Sequence, residues 1–216
     1  MGKKVSIHIN TGVLQPTNQT LRLEDLAIPS RGQVAYVTDA EWIAACKRGE
    51  RIAQRWLYEK YASNMYYVCL RYLGNEDDAQ DIMHDAFVKV FANIAKFRGD
   101  AAIKTWITRI MVNTSINRIR KDAKRGFTKD VDNIHLVDEN DQTEMIEAPK
   151  TMSAQEVLKM ITELPLGYRT VLSMYALDGY THREIALELG ISEGTSKSQL
   201  AKARKMLKNR IEEQNG

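Results

Sequence analysis

The sequence THREIALELGISEGTSKSQLAKARKMLKNR, residues 181–210, predicts two helices joined by a tight turn. Thr181 and Glu184 have the spacing of a capping box, which begins a helix by satisfying its free backbone N–H groups. Gly190 is expected to end that helix, because glycine readily adopts the left-handed backbone of a helix exit, and Ser192 to cap the next. Residues 194–210, within the second helix, carry six cations and no acid. This pattern is typical of a helix-turn-helix whose second helix enters the major groove of DNA.

Charge is distributed unevenly along the 216-residue chain, although its net charge is only +3. Residues 96–125 hold nine cations and two acids, whereas residues 130–147 hold seven acids and no lysine or arginine. Residues 75–85 hold five acids and no base. Blocks of opposite sign indicate separate surfaces with separate partners. An apolar fraction of 44% is enough for folded cores and argues against global disorder.

The cysteine content and the hydropathy pattern predict a cytoplasmic protein. Cys46 and Cys69 are the only cysteines, and neither lies in a C-x-x-C pair, so we expect two buried thiols and no disulfide framework. No apolar run approaches the length of a membrane span. The first residues lack the long apolar segment of a secretory signal.

Capping residues and apolar periodicity predict six further helices. Thr38 with Glu41 begins one helix, Asn75 begins another, and Ser153 with Glu156 begins a third. Apolar residues at spacings of three and four predict helices over residues 39–47, 50–72, 76–93, 103–124, 153–164 and 168–177.

The predicted fold is all-α, with two small helical domains joined by an acidic flexible linker, and the second domain has four helices including the helix-turn-helix. The expected boundaries are a partly flexible N-terminal extension at 1–37, a first domain at 38–125, the linker at 126–150 and a second domain at 151–216. Ile52 is expected on the buried face of the long second helix. Pro165 and Gly167 are expected to end the helix that precedes them, before the next begins at residue 168. In the extension, residues 5–9 alternate in a way that suggests a short strand.

Small polar residues interrupt the helix predicted at 103–124. Asn113, Thr114, Ser115 and Asn117 can hydrogen-bond bases or phosphates. An ordinary solvent-exposed helix surface explains the same residues equally well. Trp106 has the chemistry to stack on a base, but its spacing favours a place in the core.

Three motifs, in this order and spacing, resemble the extracytoplasmic-function (ECF) group of sigma factors in the sigma-70 family. They are DDAQDIMHDAFVKVF (77–91), FRGD (97–100) followed by TWITRIMVNTSINRIRK (105–121), and LPLGYRTVLSMYALDGYTHREIALELGISEGTSKSQLAKAR (164–204). The resemblance covers roughly residues 38–212. Helix-turn-helix patterns alone are common, so the order and spacing of the three motifs carry the resemblance.

For the first domain, the resemblance implies sigma-70 region 2, which binds core RNA polymerase and recognises and melts the minus-ten promoter element. The acidic helix looks like the face that binds the clamp helices of the polymerase β′ subunit, through Asp78, Asp81, Asp85, Phe87 and Phe91.

The loop and helix that follow look like the reader of the minus-ten element, where the family flips a base of the non-template strand into a protein pocket. A flipped base exposes its full hydrogen-bonding edge. The residues implied in recognition and melting are Phe97, Arg98, Gly99, Asp100, Arg109, Asn113, Asn117, Arg118, Arg120 and Lys121.

For the second domain, the resemblance implies sigma-70 region 4, which reads the minus-thirty-five element as a duplex and also contacts the polymerase β flap. The residues in DNA-facing positions are Thr195, Lys197, Ser198, Gln199, Ala201, Lys202 and Arg204. Ser196 stands where the family usually has an aliphatic residue, and Gln199 where arginine is common. The preferred DNA sequence therefore cannot be copied from relatives.

The resemblance as a whole implies an RNA polymerase sigma factor without catalysis or cofactor of its own. Core polymerase and promoter DNA are the implied partners, and an anti-sigma protein is the expected inhibitor. The acidic linker is implied to thread toward the active-site cleft and RNA exit path of the polymerase. A spacer that merely avoids DNA explains its acids equally well.

Two other functions fit parts of the sequence. A transcription regulator could bind duplex DNA with the same helix-turn-helix, but that reading leaves the first domain unexplained. A metal enzyme could use the pairs Asp81 with His84 and Asp132 with His135, but a di-metal bundle needs further inward carboxylates on facing helices. No triad, Walker loop or G-x-G-x-x-G turn accompanies these pairs.

Overall fold

The computed structural model describes residue 36 and residues 38–124 and 152–215, and within these ranges the chain is helical without a strand. The helices are α1 (Asp39–Lys47), α2 (Arg51–Leu73), α3 (Glu76–Asn93), α4 (Ile103–Lys124), α5 (Ala154–Thr162), α6 (Leu166–Leu172), α7 (His182–Leu189) and α8 (Glu193–Asn215). A 3₁₀ turn, Ile94–Lys96, follows α3, and a π-helical segment, Ser173–Leu177, follows α6. The all-α prediction is confirmed. The strand and linker predictions lie outside the described residues.

The helix boundaries follow the capping residues. Thr38, Ser153 and Thr181 each form a complete capping box with the glutamate three residues further on. Gly74 and Gly190 end α2 and α7 with φ angles of 81° and 68°, in the left-handed region that favours glycine. The starts and ends predicted from these residues are confirmed.

Helix α2 is the centre of the first domain and packs against α1, α3 and α4. Its buried stripe contains Leu57, Met65 and Tyr72, which belong to the same hydrophobic core as Ile107 and Met111 of α4. The long, continuous apolar face explains why three helices can pack on this one.

Ile52 is not in that core, contrary to the prediction, because its side chain is 72% exposed. The buried stripe of α2 begins at Ala53 and continues through Leu57 and Tyr61. Neighbouring residues on an α-helix are rotated by about 100°, so Ile52 points beside the stripe.

Helix α6 begins two residues earlier than predicted, and Gly167 lies inside it. Pro165 occupies the N-cap position, where its missing N–H group costs nothing. A Cβ atom on Gly167 would lie 3.2 Å from the side-chain amide of Gln199. Gly167 therefore permits close packing of α6 on α8 and does not break the chain.

The second domain packs α5, α6 and α7 around the long α8. Its core contains Val171, Met174, Ile185, Leu200 and Ala203. Helix α2 of the first domain also packs against α5 and α6, so the two domains touch.

Both thiols are buried, as predicted, and neither is part of a disulfide. Burial raises the pKa of Cys69 to about 11, and burial together with the charge of Glu50 raises the pKa of Cys46 to about 11. Thiols with such pKa values are protonated and unreactive at neutral pH. Among the described helices, none is both long enough and apolar enough to cross a membrane.

Candidate nucleic-acid interface

A cleft with a volume of about 530 Å³ opens between α1, α2 and the loop of residues 97–102. Phe97, Arg98 and Gly99 form its loop side, and Asp39 and Lys47 of α1 lie on the other side. The cleft therefore combines small, aromatic and charged groups, which are the groups that hold a nucleobase and its phosphate.

An aromatic pair lies beside the cleft. The ring of Phe97 is mostly buried and tilts against Trp106, with 5.5 Å between the ring centroids. The ammonium of Lys47 lies 5.7 Å from the centroid of Phe97. Trp106 is half-buried and packs against the core, so the core place expected for it is supported.

The loop itself turns at Gly99, whose φ angle of 86° lies in the left-handed region. Arg98 and Asp100 form an ion pair at 3.1 Å on either side of this turn, and both side chains are largely exposed. Exposed ion pairs are weak, so the Arg98 guanidinium can exchange its carboxylate for a phosphate. Asp100 does not line the cleft.

Four of the residues predicted on α4 form one exposed stripe. Arg109, Asn113, Asn117 and Lys121 recur every four residues, and all are exposed. The helix begins at the cleft, where Ile103 is part of the lining. The stripe therefore runs away from the cleft along a path that a single strand could follow.

Thr114 and Ser115 are buried and do not belong to this surface. The Thr114 hydroxyl donates to the Ile110 carbonyl at 2.7 Å and accepts from the Lys89 ammonium at 3.3 Å. Thr114 and Ser115 lie on the face of α4 that packs on α2 and α3. The run of small polar residues in the sequence did not indicate this burial.

Arg118 and Arg120, predicted as phosphate contacts, both lie in ion pairs. Arg118 donates to Asp122 at 2.6 Å and to Asp78 of α3 at 2.8 Å. Arg120 pairs with Glu188 of the second domain at 3.6 Å. Asp78, predicted to bind polymerase, is thus joined to the basic helix.

The acidic face of α3 has an exposed apolar residue at its C-terminal end. Asp81, His84, Asp85 and Val88 are all exposed on one face of the helix, and Val88 is 68% exposed. The sequence analysis missed Val88, although its spacing of seven residues from Asp81 and three from Asp85 places it on their face of the helix.

Phe87 is not on the surface, contrary to the prediction, since it is only 2% exposed. Its ring packs against Tyr58 of α2, with 4.7 Å between the centroids. Phe87 is one helical step from Val88, and this rotation of about 100° turns its side chain onto α2. Phe91 is half-buried beside it. Phe87 therefore packs α3 onto α2, beneath the acidic face.

His84, which the rival metal-enzyme hypothesis pairs with Asp81, contacts a side chain of α2. His84 Nε2 lies 3.1 Å from the hydroxyl of Tyr58. Within residues 38–124 and 152–215, no three His, Cys, Asp or Glu side chains are close enough to hold a metal ion. The second pair, at residues 132 and 135, lies outside the described residues.

The residues predicted to face duplex DNA lie on the first three turns of α8. Lys197 is exposed, whereas the other six are half-buried: Thr195, Ser198, Gln199, Ala201, Lys202 and Arg204. The ammonium of Lys202 lies over the ring of Tyr168 and the guanidinium of Arg204 over Tyr175, at 6.0 and 5.9 Å from the centroids. Gln199 lies against α6.

The start of α8 is fixed by the predicted cap. Ser192 accepts from the backbone N–H of Thr195 at 2.9 Å. The hydroxyls of Ser192 and Thr195 also lie 2.9 Å apart. The Thr195 side chain is therefore engaged in the cap.

Ser196 is fully buried between the two helices of the helix-turn-helix. Its hydroxyl lies 2.9 Å from Nδ1 of His182, and the His182 ring stacks on Tyr175 with 4.4 Å between the centroids. A polar pair thus replaces the aliphatic contact usual at this position. Burial, followed by the charges of Lys197 and Arg204, lowers the pKa of His182.

Two family models match the chain: Sigma-70 region 2 over residues 57–125 and Sigma-70, region 4 over residues 154–207. The ECF RNA polymerase sigma factor SigM of Mycobacterium tuberculosis (strain ATCC 25618 / H37Rv) is 31% identical over 170 residues, which cover 79% of this chain and 83% of SigM. The chain belongs to the ECF sigma factor family.

Other sigma factors are similar over most of their length. The ECF RNA polymerase sigma-E factor of Escherichia coli (strain K12) is 28% identical over 183 residues, covering 82% of this chain and 95% of that factor. The solved complex of CnrH with the cytosolic domain of CnrY aligns with a TM-score of 0.44 and 20% identity over 81% of this chain and 97% of CnrH. The solved complex of the sigma factor RpoE with the anti-sigma factor NepR, from Bartonella quintana, aligns with a TM-score of 0.45 and 19% identity. The alignment covers 73% of this chain and 96% of the matched chain.

The protein is therefore an RNA polymerase sigma factor, which binds core polymerase and directs promoter recognition in transcription initiation. A regulator that binds only duplex DNA would not need a region 2, which is matched over residues 57–125. The prediction of an ECF sigma factor is confirmed.

Proposed function

We propose that this sigma factor divides promoter recognition between a melting surface in the first domain and a duplex-reading helix in the second. The observation that carries the proposal is the exposed stripe of α4, a helix that begins at the cleft of the first domain and is separate from α8. We assign residues 38–125 to region 2, 126–150 to the linker and 151–216 to region 4.

In this proposal the cleft takes a base flipped from the non-template strand. Unstacking a base costs a few kcal/mol. Arg98, Arg109 and Lys121 offset this cost by holding the phosphates of the opened strand. Asn113 and Asn117, which lie between Arg109 and Lys121 on the stripe, hydrogen-bond the bases. Lys47 and Asp39 of α1 are further contacts in the cleft that the sequence did not suggest.

Helix α8 enters the major groove of the minus-thirty-five element. Lys197 is the exposed cation among the residues predicted to face duplex DNA and bonds a guanine edge or a phosphate. Ala201 is small enough to allow close approach. Lys202 and Arg204 follow Lys197 by five and seven residues, which is about one and a half and two turns. Thr195, Ser198 and Gln199 lie on the flanks of the same contact surface.

The acidic face of α3 binds the β′ clamp helices of core polymerase. Asp81 and Asp85 supply charge around Val88, whose exposed side chain is buried on binding. The second domain contacts the β flap. An anti-sigma protein is the proposed inhibitor, as in the ECF group that the chain resembles.

The protein supplies specificity, and the polymerase performs the chemistry, so we propose no catalysis by this chain. It acts in the cytoplasm, where promoter DNA and core polymerase are found.

Transcription with purified core polymerase and a fragmented genomic template tests the proposal. Sequencing the transcripts is expected to identify start sites that depend on this chain, and permanganate footprints are expected to show an open bubble at each. Equal bubbles in reactions without the chain would contradict it.

A further inference from the structure

The ring of Tyr175 contacts two side chains that come from the two helices of the helix-turn-helix. The His182 ring, at the start of α7, lies at 20° to it, with 4.4 Å between the centroids. The Arg204 guanidinium, on α8, lies over the Tyr175 ring at 5.9 Å from its centroid. These three side chains are here called the Tyr175 stack. They join the segment after α6 to both helices of the helix-turn-helix.

The backbone that carries Tyr175 is fixed on both sides. Tyr175 lies in the π-helical segment after α6, and the two residues before it, Ser173 and Met174, are fully buried. Beyond it, the Asp178 N–H donates to the Ser173 carbonyl at 3.0 Å. The Tyr180 N–H donates to the Met174 carbonyl at 2.9 Å. Such wide helical turns are rare in proteins but frequent at functional sites.

The contacts of the Tyr175 stack begin and end on α8. The hydroxyl of Ser196, which is fully buried, lies 2.9 Å from Nδ1 of His182. Ser196 and Arg204 are both on α8, about 12 Å apart along the helix axis. A series of contacts through His182 and Tyr175 thus leads from Ser196 back to the helix that carries it. Ser196 therefore fixes the histidine on which Tyr175 stacks.

His182 can stack beside a cation because its own ring is uncharged at neutral pH. Burial, followed by the charges of Lys197 and Arg204, lowers its pKa from the ordinary value of 6.5. The charge of Glu193 acts in the opposite direction and is a smaller effect. A charged imidazolium would repel the guanidinium of Arg204. The neutral ring therefore supports Tyr175 without displacing Arg204.

An arginine that is held by its face can still bind DNA. The guanidinium is planar and stacks on an aromatic ring through its face, whereas its N–H groups point outward in its plane. Those N–H groups bond phosphate oxygens or a guanine edge. An unrestrained arginine loses side-chain entropy when it binds, and part of this loss is avoided if the side chain is already ordered. The ring of Tyr175 should therefore strengthen the contact of Arg204 with DNA.

We infer that Tyr175 is a positioning residue for promoter recognition, which orders Arg204 before the second domain meets the minus-thirty-five duplex. Ser196 and His182 fix the ring of Tyr175 and act on DNA only through it. The inference rests on the proposed function for the contact between α8 and the duplex. It gives a role in recognition to residues that do not themselves contact DNA.

Nuclear magnetic resonance of the full chain, free of DNA, tests whether Tyr175 holds Arg204. Protons over the face of an aromatic ring are shifted upfield by the ring current. We expect the Nε–H proton of Arg204, assigned with Arg204→Gln, to resonate upfield of that of Arg183, which is exposed on α7. Tyr175→Leu should remove this shift, and Tyr175→Phe should retain it. An Arg204 signal at the position of the Arg183 signal in the unmodified chain would refute the inference.

Duplex binding by the complex with core polymerase tests the consequence for recognition. The probe is a fluorescent duplex that carries the minus-thirty-five region of a promoter found by transcript sequencing. Tyr175→Leu should weaken binding by about 2–5-fold, which corresponds to the loss of one exposed cation–π contact. Tyr175→Phe keeps the aromatic ring and should bind like the unmodified chain.

A double-mutant cycle separates positioning from a merely structural role. If Tyr175 acts through Arg204, Tyr175→Leu should weaken binding no further in a chain that already carries Arg204→Gln. Lys205→Gln is the matched control, because Lys205 is an exposed cation next to Arg204, and Tyr175→Leu should keep its full effect in that chain. An equal loss with and without Arg204 would show that Tyr175 only stabilises the domain, and the inference would be wrong.

Fluorinated phenylalanines at position 175 keep the inference testable if Tyr175→Leu does not fold. Fluorine withdraws electrons from the ring face and weakens its attraction for a cation, while the ring keeps its shape. The affinity for the duplex should therefore fall stepwise as fluorines are added. An affinity that is independent of fluorination, in chains that unfold cooperatively, would refute the inference.

Failure of the proposed function gives a different result from failure of this inference. If α8 does not read the duplex, Lys197→Ala and Arg204→Gln will both leave binding unchanged, and the positioning role falls with the proposed function. If those two variants weaken binding and Tyr175→Leu does not, only the inference is wrong.

Discussion

At the scale of single residues, His182 gives the helix-turn-helix a dependence on pH. Burial, with the charges of Lys197 and Arg204, lowers its pKa from the ordinary value of 6.5. A depressed histidine pKa stabilises the fold above the ordinary value, and this stability is lost as the pH falls through the lowered value. We expect the His182→Gln variant to lose less stability on acidification than the unmodified chain, because it lacks the group that becomes protonated. Chemical unfolding at a series of pH values, with the unmodified chain as reference, measures the difference, and identical profiles would contradict the assignment.

Ser196 and His182 are expected to behave as a pair. Ser196→Ala leaves Nδ1 of the half-buried His182 without its partner, which should lower the free energy of unfolding by about 1 kcal/mol. The double variant Ser196→Val, His182→Leu replaces both polar groups by apolar ones and should recover most of that loss. Denaturant unfolding of the three variants measures the coupling. Equal losses in the single and double variants would show that the hydrogen bond contributes little.

At the scale of helices, α4 and α8 are expected to act at different steps of initiation. Lys197→Ala should weaken binding of a minus-thirty-five duplex by about 1–3 kcal/mol, the value of one good contact to a base. Asn113→Ala should leave that affinity unchanged and slow the appearance of permanganate-reactive bases. Lys205→Ala and Asn64→Ala are matched controls, since both residues are exposed on helices of the same domains. Equal effects of the first two variants on both steps would contradict the division.

Helix α3 offers a contrast between neighbouring residues. Phe87 is buried and Val88 is exposed, so Phe87→Ala should reduce the stability of the first domain by about 3–5 kcal/mol. Val88→Ala should leave stability unchanged and weaken core polymerase binding by about 1–2 kcal/mol, because the lost side chain is buried only in the complex. Thermal unfolding and titration with labelled polymerase separate the two effects. Val88→Ala with unaltered polymerase affinity would remove Val88 from the interface.

The helices were predictable because their signals are local. Capping boxes at Thr38, Ser153 and Thr181 and glycines at Gly74 and Gly190 act through backbone groups a few residues away. The direction in which each side chain points was less predictable.

The errors at Ile52, Phe87 and Thr114 share one cause. Each lies one helical step from a residue of opposite exposure, and a step of about 100° decides whether a side chain is in the core. Gly167 was wrongly predicted to break the chain, because the need for a small residue at this position comes from Gln199 on another helix.

At the scale of the whole molecule, the sites formed by distant residues could not be predicted from the sequence. The cleft joins α1 to a loop some fifty residues later in the chain, and no local pattern marks Asp39 or Lys47 as its lining. Arg71 and Asp178, which form an ion pair between the two domains, are 107 residues apart. Each is an ordinary charged residue in its own segment, and their pairing follows only from the packing of the two domains.

Gly74 is expected to connect helix termination with domain closure. Alanine at Gly74 or Gly49 must adopt a left-handed backbone, since both glycines have a φ angle of 81°, and each substitution should cost about 1–2 kcal/mol. Only at Gly74 would the new Cβ meet the other domain, 2.5 Å from Nη1 of Arg169, whose guanidinium donates to carbonyls at the end of α2. Around Gly49 no atom lies within 4 Å, so Gly49→Ala is the matched control. Both variants should lower the melting temperature of the first domain, whereas only Gly74→Ala should lengthen the distance between spin labels on cysteines introduced at Ser63 of α2 and Asn209 of α8. If Gly49→Ala lengthens that distance equally, backbone strain opens the domains, and Arg169 does not hold them.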